Sequence, residues 1–553
     1  MSGIESDVSP VAGSSSTAPT RTTVQHQQLP PRPKLVLTYP SAEVRTRPSS
    51  SRSKDDEEYV PYELSGLTPL STHEEGEDWV SIISAPAHAP IESWLHVMQS
   101  LIRHPERTSS NILRAGIVAE TNEDASTATL RGKGWKKQWT IRRELVPRRP
   151  NLDWRMEQDC SLFYRYSLDE EHEDEPVEAV IVYTPLIGDT SHAKIGLSDS
   201  NTLRGQPPSN EALIPFYHPK VRALAFHFHP SSHPTPLPTD SNDGEPTFGT
   251  LSISLIPFSP SPPAFSPTHR LTRVAHSLLT TLHMHTWGHR HDYTKRVHHD
   301  TLVPRTLYQD TYLALKVRYA GELIAGWAEA TDPRKHVFEE MGIAAFLIGL
   351  WSLHYGGEEG WKGKVRFVDV GCGNGLLTYI LMREGFQGIG LDLRKRKSWA
   401  NFTAQGARLE EWNFNPSSLL TESAEQWKGA WLLGNHADQL TPWIPVLATH
   451  CGAQGFINLP CCYYALDGSR NFDLTLRGDV SRNEQYLAYV RRIQERFAWK
   501  VELDPLRIPS TKNWCFVGRT REKVDEEVLR ERVKTAVEEA LRTGWAVGDP
   551  TTT

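Results

Sequence analysis

The segment VRFVDVGCGNGLL, Val365–Leu377, sets an acid, Asp369, two residues ahead of Gly371 and spaces Gly371, Gly373 and Gly375 one residue apart. Glycine admits positive φ and lets the backbone come close to a ligand with no Cβ in the way. The helix expected over Leu376–Glu384 would turn its partly positive N-terminus into the same space. A dinucleotide fingerprint reads G-x-G-x-x-G and needs no acid before its first glycine. The spacing here is G-x-G-x-G, and a carboxylate beside a helix N-terminus suits a ligand with a cationic amine better than a pyrophosphate. Seventeen residues after Gly375, the segment GFQGIGLDLR brings Asp392 to the end of the next strand. An acid there can accept hydrogen bonds from both ribose hydroxyls of an adenosine. The competing readings are a tight strand–helix turn with no ligand and a nicotinamide or flavin site.

The elements around the loop must hold it. Strand-like segments at 365–370, 387–392, 429–434, 454–459, 498–503 and 513–519 alternate with helical ones, which predicts a doubly wound α/β domain with a mostly parallel sheet. The last two, AWKVELD and NWCFVGRT, lie close enough to form an antiparallel edge hairpin. Ahead of the loop, HRLTRVAHSLLTTLHMHTWGHRH, YQDTYLALKVRYAGELIAGW and HVFEEMGIAAFLIGLWSLHY have apolar residues at helical spacing. REKVDEEVLRERVKTAVEEALRTGW reads as a C-terminal amphipathic helix. Further upstream, WLHVMQSLIRHP is helical, and NILRAGIVAE and VEAVIVYTPLIG are strand-like. The segment Leu130–Pro150 carries eight Lys/Arg against the single acid Glu144, with Trp135 and Trp139 interleaved. These patterns divide the chain into a disordered tail (1–56), a mixed α+β region (57–202) and a Pro/Ser/His-rich insertion (203–268) containing the strand-like TFGTLSISLIPF. A helical lead-in (269–355), the glycine-loop domain (356–522) and the C-terminal helix (523–553) follow.

The 553 residues suit two to four domains. A hydrophobic share of 38% is low, as expected where part of the chain has no packed core. The net charge of −7 does not by itself suggest a nucleic-acid partner, although a local basic face can sit on an acidic protein. The six cysteines form no C-x-x-C pair, so no structural zinc site of ordinary spacing is expected and free thiols in a reducing compartment are. The first 20 residues lack the apolar core of a secretory signal, and no run of 18 apolar residues occurs. The expectation is a soluble, cytoplasmic protein.

The acid–GxGxG loop followed by Asp392 resembles class I S-adenosylmethionine-dependent methyltransferases. Longer blocks narrow the resemblance. TKRVHHDTLVPRTLYQDTYLALKVRYA (294–320), TDPRKHVFEEMGIAAFLIGLW (331–351), FVDVGCGNGLL (367–377), GIGLDLRKRKSW (388–399), LLGNHADQLTPWIPVLA (432–448), NLPCC (458–462) and RIPSTKN (507–513) occur in that order. Together they resemble the tRNA (uracil-2′-O-)-methyltransferase family that modifies uridine at tRNA position 44. The resemblance covers roughly residues 290 to 520. It implies a seven-stranded class I methyltransferase domain and S-adenosylmethionine as cofactor. It also implies methyl transfer to a ribose 2′-hydroxyl, with serine tRNA as the substrate, and no membrane or metal. The cofactor would lie against Asp369, Gly371, Gly373, Asn374, Gly375, Asp392 and Leu393.

In that setting Asn435, His436 and Asp438, at the end of the strand over 429–434, are candidates for positioning the ribose or taking its proton; the bland alternative is a capped loop. Arg394, Lys395, Arg396 and Lys397 could hold tRNA phosphates, as could Arg507 and Lys512 in the turn with Ser510 and Thr511. Each of these groups could equally be a solvated surface or simple turn chemistry. The basic Trp-bearing segment 130–150 suits phosphate contact with stacking, or an ordinary strand. Cys461 and Cys462 raise a different reaction, covalent attack on a pyrimidine followed by methylation at carbon 5, against small thiols packing under the sheet. Glu339 and Glu340 could line the pocket from the leading helix, although helix-surface carboxylates are commoner. Eight histidines between His269 and His299 lack the spacing of a metal site.

Overall fold

The computed structural model describes residues 32–39, 79–122, 135–150, 152–166, 176–188, 205–236, 246–259, 269–293, 299–421, 425–478, 480–542 and 544–545. The chain divides into two compact units, Met1–Thr294 and Lys295–Thr553.

The first unit is an antiparallel sheet of β1 (Val80–Ala87), β2 (Ile112–Asn122), β3 (Trp135–Pro147), β4 (Met156–Tyr166), β5 (Pro176–Leu186), β6 (Ala223–Pro236) and β7 (Pro246–Ile256), in the order β1-β7-β6-β5-β4-β3-β2. Two helices, α1 (Ile91–Arg103) and α2 (Arg270–Arg290), cover one face. There Trp94, Met98 and Ile102 of α1 and Ala275, Leu279 and Leu282 of α2 join Leu162, Ile181, Phe226 and Ile253 in one core. Alternate residues Phe163, Val180, Val182 and Ala225 form a smaller apolar layer on the other face, flanked by Trp79 and Trp135.

Three sequence-based expectations fail in this unit. Residues 203–268 are not an insertion: besides the expected strand, now β7, they supply β6, which pairs along both of its edges. The helix over 270–290 is not a lead-in to the second unit, because its apolar stripe completes the first sheet's core. Part of the expected tail is ordered: Thr38 pairs with Ser84 through two backbone hydrogen bonds of 2.8 and 2.9 Å, and Leu37 is buried. The remainder of residues 1–56 lies outside the described residues.

The second unit begins with α3 (Arg305–Ala325) and α4 (Pro333–His354). Asp332 caps α4 by accepting the Arg334 amide, and Pro333 sits at its first position, where a missing N–H costs nothing. By length and composition α4 is apolar enough to cross a membrane, but Val337, Met341, Phe346 and Trp351 are buried in this unit's core. There follow β8 (Arg366–Val370), α5 (Leu376–Arg383), β9 (Gln387–Asp392), α6 (Trp399–Ala404), β10 (Leu409–Glu411), β11 (Trp431–Asn435), α7 (Ile444–His450) and β12 (Gly455–Leu459). The unit ends with α8 (Arg482–Arg496), β13 (Glu502–Pro505), β14 (Trp514–Gly518) and α9 (Glu526–Arg542).

The sheet order is β10-β9-β8-β11-β12-β14-β13. Neighbours from β10 to β12 run parallel, and β14 is antiparallel to both β12 and β13. This is a doubly wound seven-stranded α/β sheet with an edge hairpin. Consecutive residues along the strands feed opposite cores. Phe367, Trp431, Ile457 and Val517 face α4, whereas Val368, Leu432, Phe456 and Phe516 face α7, α8 and α9. The strand expected over 498–503 starts only at Glu502, because Ala498 turns the chain at φ +60° and Trp499 forms an isolated bridge to Arg521. Asp504 at the edge accepts three backbone amides, from Asp300 at 3.1 Å and from Thr301 and Leu302 at 2.9 Å, tying the start of the unit to its last hairpin.

Candidate active site

In an open α/β sheet, ligands lie beyond the carboxyl ends of the strands where the strand order reverses. Here that place is between β8 and β11. The glycine loop leaves β8 with Gly371, Gly373 and Gly375 all at positive φ, of 79°, 55° and 77°. A Cβ at Gly371 would come within 3.3 Å of the Ala437 Cβ, and one at Gly375 within 2.6 Å of Leu409. A Cβ at Gly373 would meet nothing within 4 Å, so the middle glycine marks the open side of the loop. The loop is fastened from below. Gly371 and Cys372 donate to the Leu391 carbonyl, Gly373 donates to Asp392 Oδ2 at 2.8 Å, and Trp399 Nε1 donates to the Gly373 carbonyl at 2.9 Å. Asn374 turns its side-chain oxygen to the Leu376 amide at 2.9 Å, at the start of α5.

Asp369 is 1% exposed. Its Oδ2 accepts the Thr378 hydroxyl at 2.8 Å, while Oδ1 is enclosed with no partner. Burial pushes its carboxyl up to about 7; the Thr378 bond opposes the shift and the nearby Asp392 charge adds to it. An enclosed acid with an unused oxygen beneath an open glycine cradle fits a ligand with a cationic group. Asp392 stays half-exposed at the end of β9, and Leu393 beyond it is 42% exposed. The loop residues and both acids expected to hold the cofactor are thus brought together.

The second half of the site comes from β11. Asn435 donates from Nδ2 to Glu340 Oε2 at 2.9 Å, leaving its own Oδ1 enclosed and unpartnered. His436 and Asp438 follow at φ +52° and +46°, a left-handed conformation that costs a non-glycine residue about 1–3 kcal/mol. His436 Nε2 meets Glu339 Oε1 at 3.2 Å, and its Nδ1 is enclosed without a partner. Asp438 is exposed and accepts from the Cys461 thiol at 3.4 Å.

The two glutamates of α4 therefore stand against Asn435 and His436, rather than on an open helix face. Glu340 is half-buried by surface area, but its carboxyl is enclosed by protein. Burial, with the Asp369 and Glu339 carboxylates nearby, pushes it up to about 8 against the Asn435 hydrogen bond. Its protonated form therefore dominates near neutrality. Sequence reasoning raised Glu339 and Glu340 only as an outside option; their adjacency in the helix that precedes the glycine loop was the available signal.

Other candidates fare differently. Arg394, Lys395, Arg396 and Lys397 are all exposed directly after Asp392. Arg507 instead closes a two-pronged ion pair on Asp300, with distances of 2.7 to 3.1 Å, and the Lys512 amine bonds Tyr463 and Asn483. The basic strand β3 also uses much of its charge internally, Arg142 on Asp159 and the buried Arg143 on Gln158 and two backbone carbonyls. Burial raises both the Cys461 and Cys462 thiols, and Asp438 raises them further, so neither is poised as a thiolate. A cavity of about 260 Å³ between α3 and α6 is lined by Trp327, Tyr379, Ser398 and Phe402 and by none of the sequence-based site residues.

Comparisons with known proteins meet this geometry. Residues 57–296 match the family described as TRM44-like, N-terminal bet v1-like domain, and residues 302–412 match the one described as Predicted AdoMet-dependent methyltransferase. The chain is 32% identical to the tRNA (uracil-O(2)-)-methyltransferase of Schizosaccharomyces pombe over 506 residues, covering 83% of this chain and 87% of that one. It is 35% identical to the protein of the same name from Neurospora crassa, covering 77% and 83%. For the Saccharomyces cerevisiae protein of that name the identity is 29%, covering 80% and 87%. The glycine cradle, its two acids and these relatives converge: the chain is an S-adenosylmethionine-dependent methyltransferase of the tRNA (uracil-O(2)-)-methyltransferase family.

Proposed function

We propose that this protein methylates the ribose 2′-hydroxyl of uridine 44 in serine tRNA, and that His436, positioned by Glu339, takes the hydroxyl proton. The observation that carries this reading is the His436 ring. Glu339 anchors its Nε2, and its Nδ1 is enclosed but unpartnered at the carboxyl end of β11, one strand from the glycine cradle. Bound S-adenosylmethionine supplies an electrophilic methyl group on a sulfonium. The chain's own residues then have separable tasks. Asp369 receives the cationic end of the cofactor, Gly371, Gly373 and Gly375 admit it, and Asp392, with Leu393 beside it, takes the adenosine ribose. The unused Asn435 Oδ1 is an acceptor for a substrate hydroxyl, and the neutral Glu340 holds Asn435 in place. Asp438 is exposed close by, suited to orient the ribose. Alignment of acceptor and methyl group can supply on the order of 7–11 kcal/mol of the barrier. A positioned base contributes about 10²–10⁴-fold more. Arg394, Lys395, Arg396 and Lys397 are exposed and suited to meet tRNA phosphates, and the cytoplasm is the compartment we propose for the enzyme.

The test is to incubate the full chain with labelled S-adenosylmethionine and serine tRNA and map the product nucleoside by mass spectrometry. A 2′-O-methyluridine at position 44 is expected. Methyl on the base, or a different position, overturns the assignment. His436→Ala is expected to lower kcat by about 10²–10⁴-fold with cofactor affinity unchanged, and Glu339→Gln to lower it by less.

A further inference from the structure

We propose that Glu178, His227 and His229, in the N-terminal unit, form a binding site for a zinc-class divalent cation. The strand register creates the cluster. β5 and β6 run antiparallel with Ala179 opposite Phe228, which sets Glu178 across from His229 and His227 two residues along the same face. That face is the one turned away from α1 and α2, beside Val180 and Val182, with the Trp135 ring 5.7 Å from that of His227.

All three side chains are buried, with 8% exposure at Glu178, 3% at His227 and 8% at His229. His227 Nε2 lies 3.3 Å from Glu178 Oε2, and His229 Nδ1 lies 3.2 Å from Glu178 Oε1. One candidate ligand atom from each residue falls within 4.8 Å of the others. Tetrahedral zinc, with bonds of about 2.0–2.1 Å, separates its ligand atoms by about 3.4 Å, so the group needs little adjustment to close on an ion.

Protein atoms alone leave the cluster unfinished. His229 Nε2 is enclosed with no partner. If the imidazole carries its proton on Nδ1 and gives it to Glu178, Nε2 is a bare buried lone pair. If the proton sits on Nε2, that N–H is unpaired and Nδ1 turns a lone pair toward a carboxylate. In the second tautomer a cation held between Nδ1 and the carboxylate would take the lone pair that turns toward Glu178. The two imidazole rings pack 3.5 Å apart between centroids. Arg165 binds both Glu178 oxygens and plays the outer role common at metal sites, orienting the carboxylate while its remaining lone pairs stay available. Two imidazoles and one carboxylate favour zinc over a hard cation and leave one position for water. A cation there staples β5 to β6.

The full chain, stripped by chelator, would be titrated with Co²⁺ as a spectroscopic probe and then with Zn²⁺ in competition. One equivalent of Co²⁺ is expected, with visible absorption and no sulfur-to-cobalt charge transfer. That absence separates this group from Asp438, Cys461 and Cys462, the other described cluster of metal-ligating side chains. Cys461→Ala with Cys462→Ala should leave the spectrum intact. His227→Gln with His229→Gln should weaken binding by more than about tenfold and abolish the rise in Tm that Zn²⁺ gives the unaltered chain. His229→Gln alone repeats the test should the double variant fail to fold. No saturable equivalent of bound metal, or equal binding by the histidine variants, overturns the proposal and leaves a Glu178–Arg165 ion pair with two packed imidazoles.

Discussion

Asp369→Asn isolates the electrostatics of the cofactor site. In the free enzyme burial raises the Asp369 carboxyl to about 7, so it passes from neutral to ionised across a range in which ordinary aspartates stay charged. A cationic ligand binds the ionised form, and its dissociation constant is multiplied by one plus ten to the power of pKa minus pH. With a pKa of about 7 that factor is about 30 at about pH 5.5 and close to 1 at about pH 7.5, a weakening of roughly 25-fold, or about 2 kcal/mol, on acidification. The window ends just below the usual α-amine pKa of about 7.7–8.0, so most of the ligand keeps its ammonium charge throughout. Calorimetric titration of the full chain with S-adenosylmethionine in steps across this window measures the slope. Asparagine keeps the size and a partner for Thr378 but cannot ionise, so the variant should bind with one pH-flat affinity, no tighter than the wild type at its acid limit. A flat wild-type profile, or a slope that survives in the variant, refutes the assignment of Asp369 to the cationic end of the cofactor.

Glu340→Gln tests the second raised acid. Because the folded-state pKa of about 8 lies above the ordinary glutamate value of 4.5, the stability linked to it is complete below about 4.5 and is lost as pH rises through about 8. The glutamine variant's advantage in Tm should therefore grow over that range and level off above it; an offset constant with pH would contradict the enclosed carboxyl. Cys461→Ala with Cys462→Ala should leave turnover within about twofold in a single-turnover assay, since raised thiols make poor nucleophiles; loss of all transfer would restore the covalent carbon-5 mechanism. Gly375→Ala combines a φ of +77° with a Cβ 2.6 Å from Leu409, and should cost on the order of 1–3 kcal/mol by denaturant unfolding, with weaker cofactor binding. An unchanged midpoint would mean the loop can relax more than its packing suggests.

What the sequence disclosed follows from the range of each interaction. The glycine loop and its acids were legible because a strand–loop–helix turn is written in adjacent residues. The seven-stranded sheet followed from alternating periodicities. The pairing of Glu340 with Asn435 spans 95 residues, and no local pattern could bring α4 against the end of β11. The misreading of β6 had a nearer remedy. ALAFHFH carries the period of two, with Leu224, Phe226 and Phe228 facing the helices, but the surrounding Pro and Ser obscured it. At Arg507 and Lys512, charge in a turn suggested RNA, and the bonds these side chains make to Asp300 and Asn483 were not legible in the local sequence.

The Asp504 clamp also sets a timetable. The amides of Asp300, Thr301 and Leu302 wait for a carboxylate about 200 residues downstream, on the outermost strand of the sheet. At about 5–20 residues per second, a ribosome needs on the order of 10–40 s to deliver it. During that interval these three amides are without the acceptor that the folded unit gives them. The hairpin that carries Asp504 is therefore the element that locks the first turn of the unit.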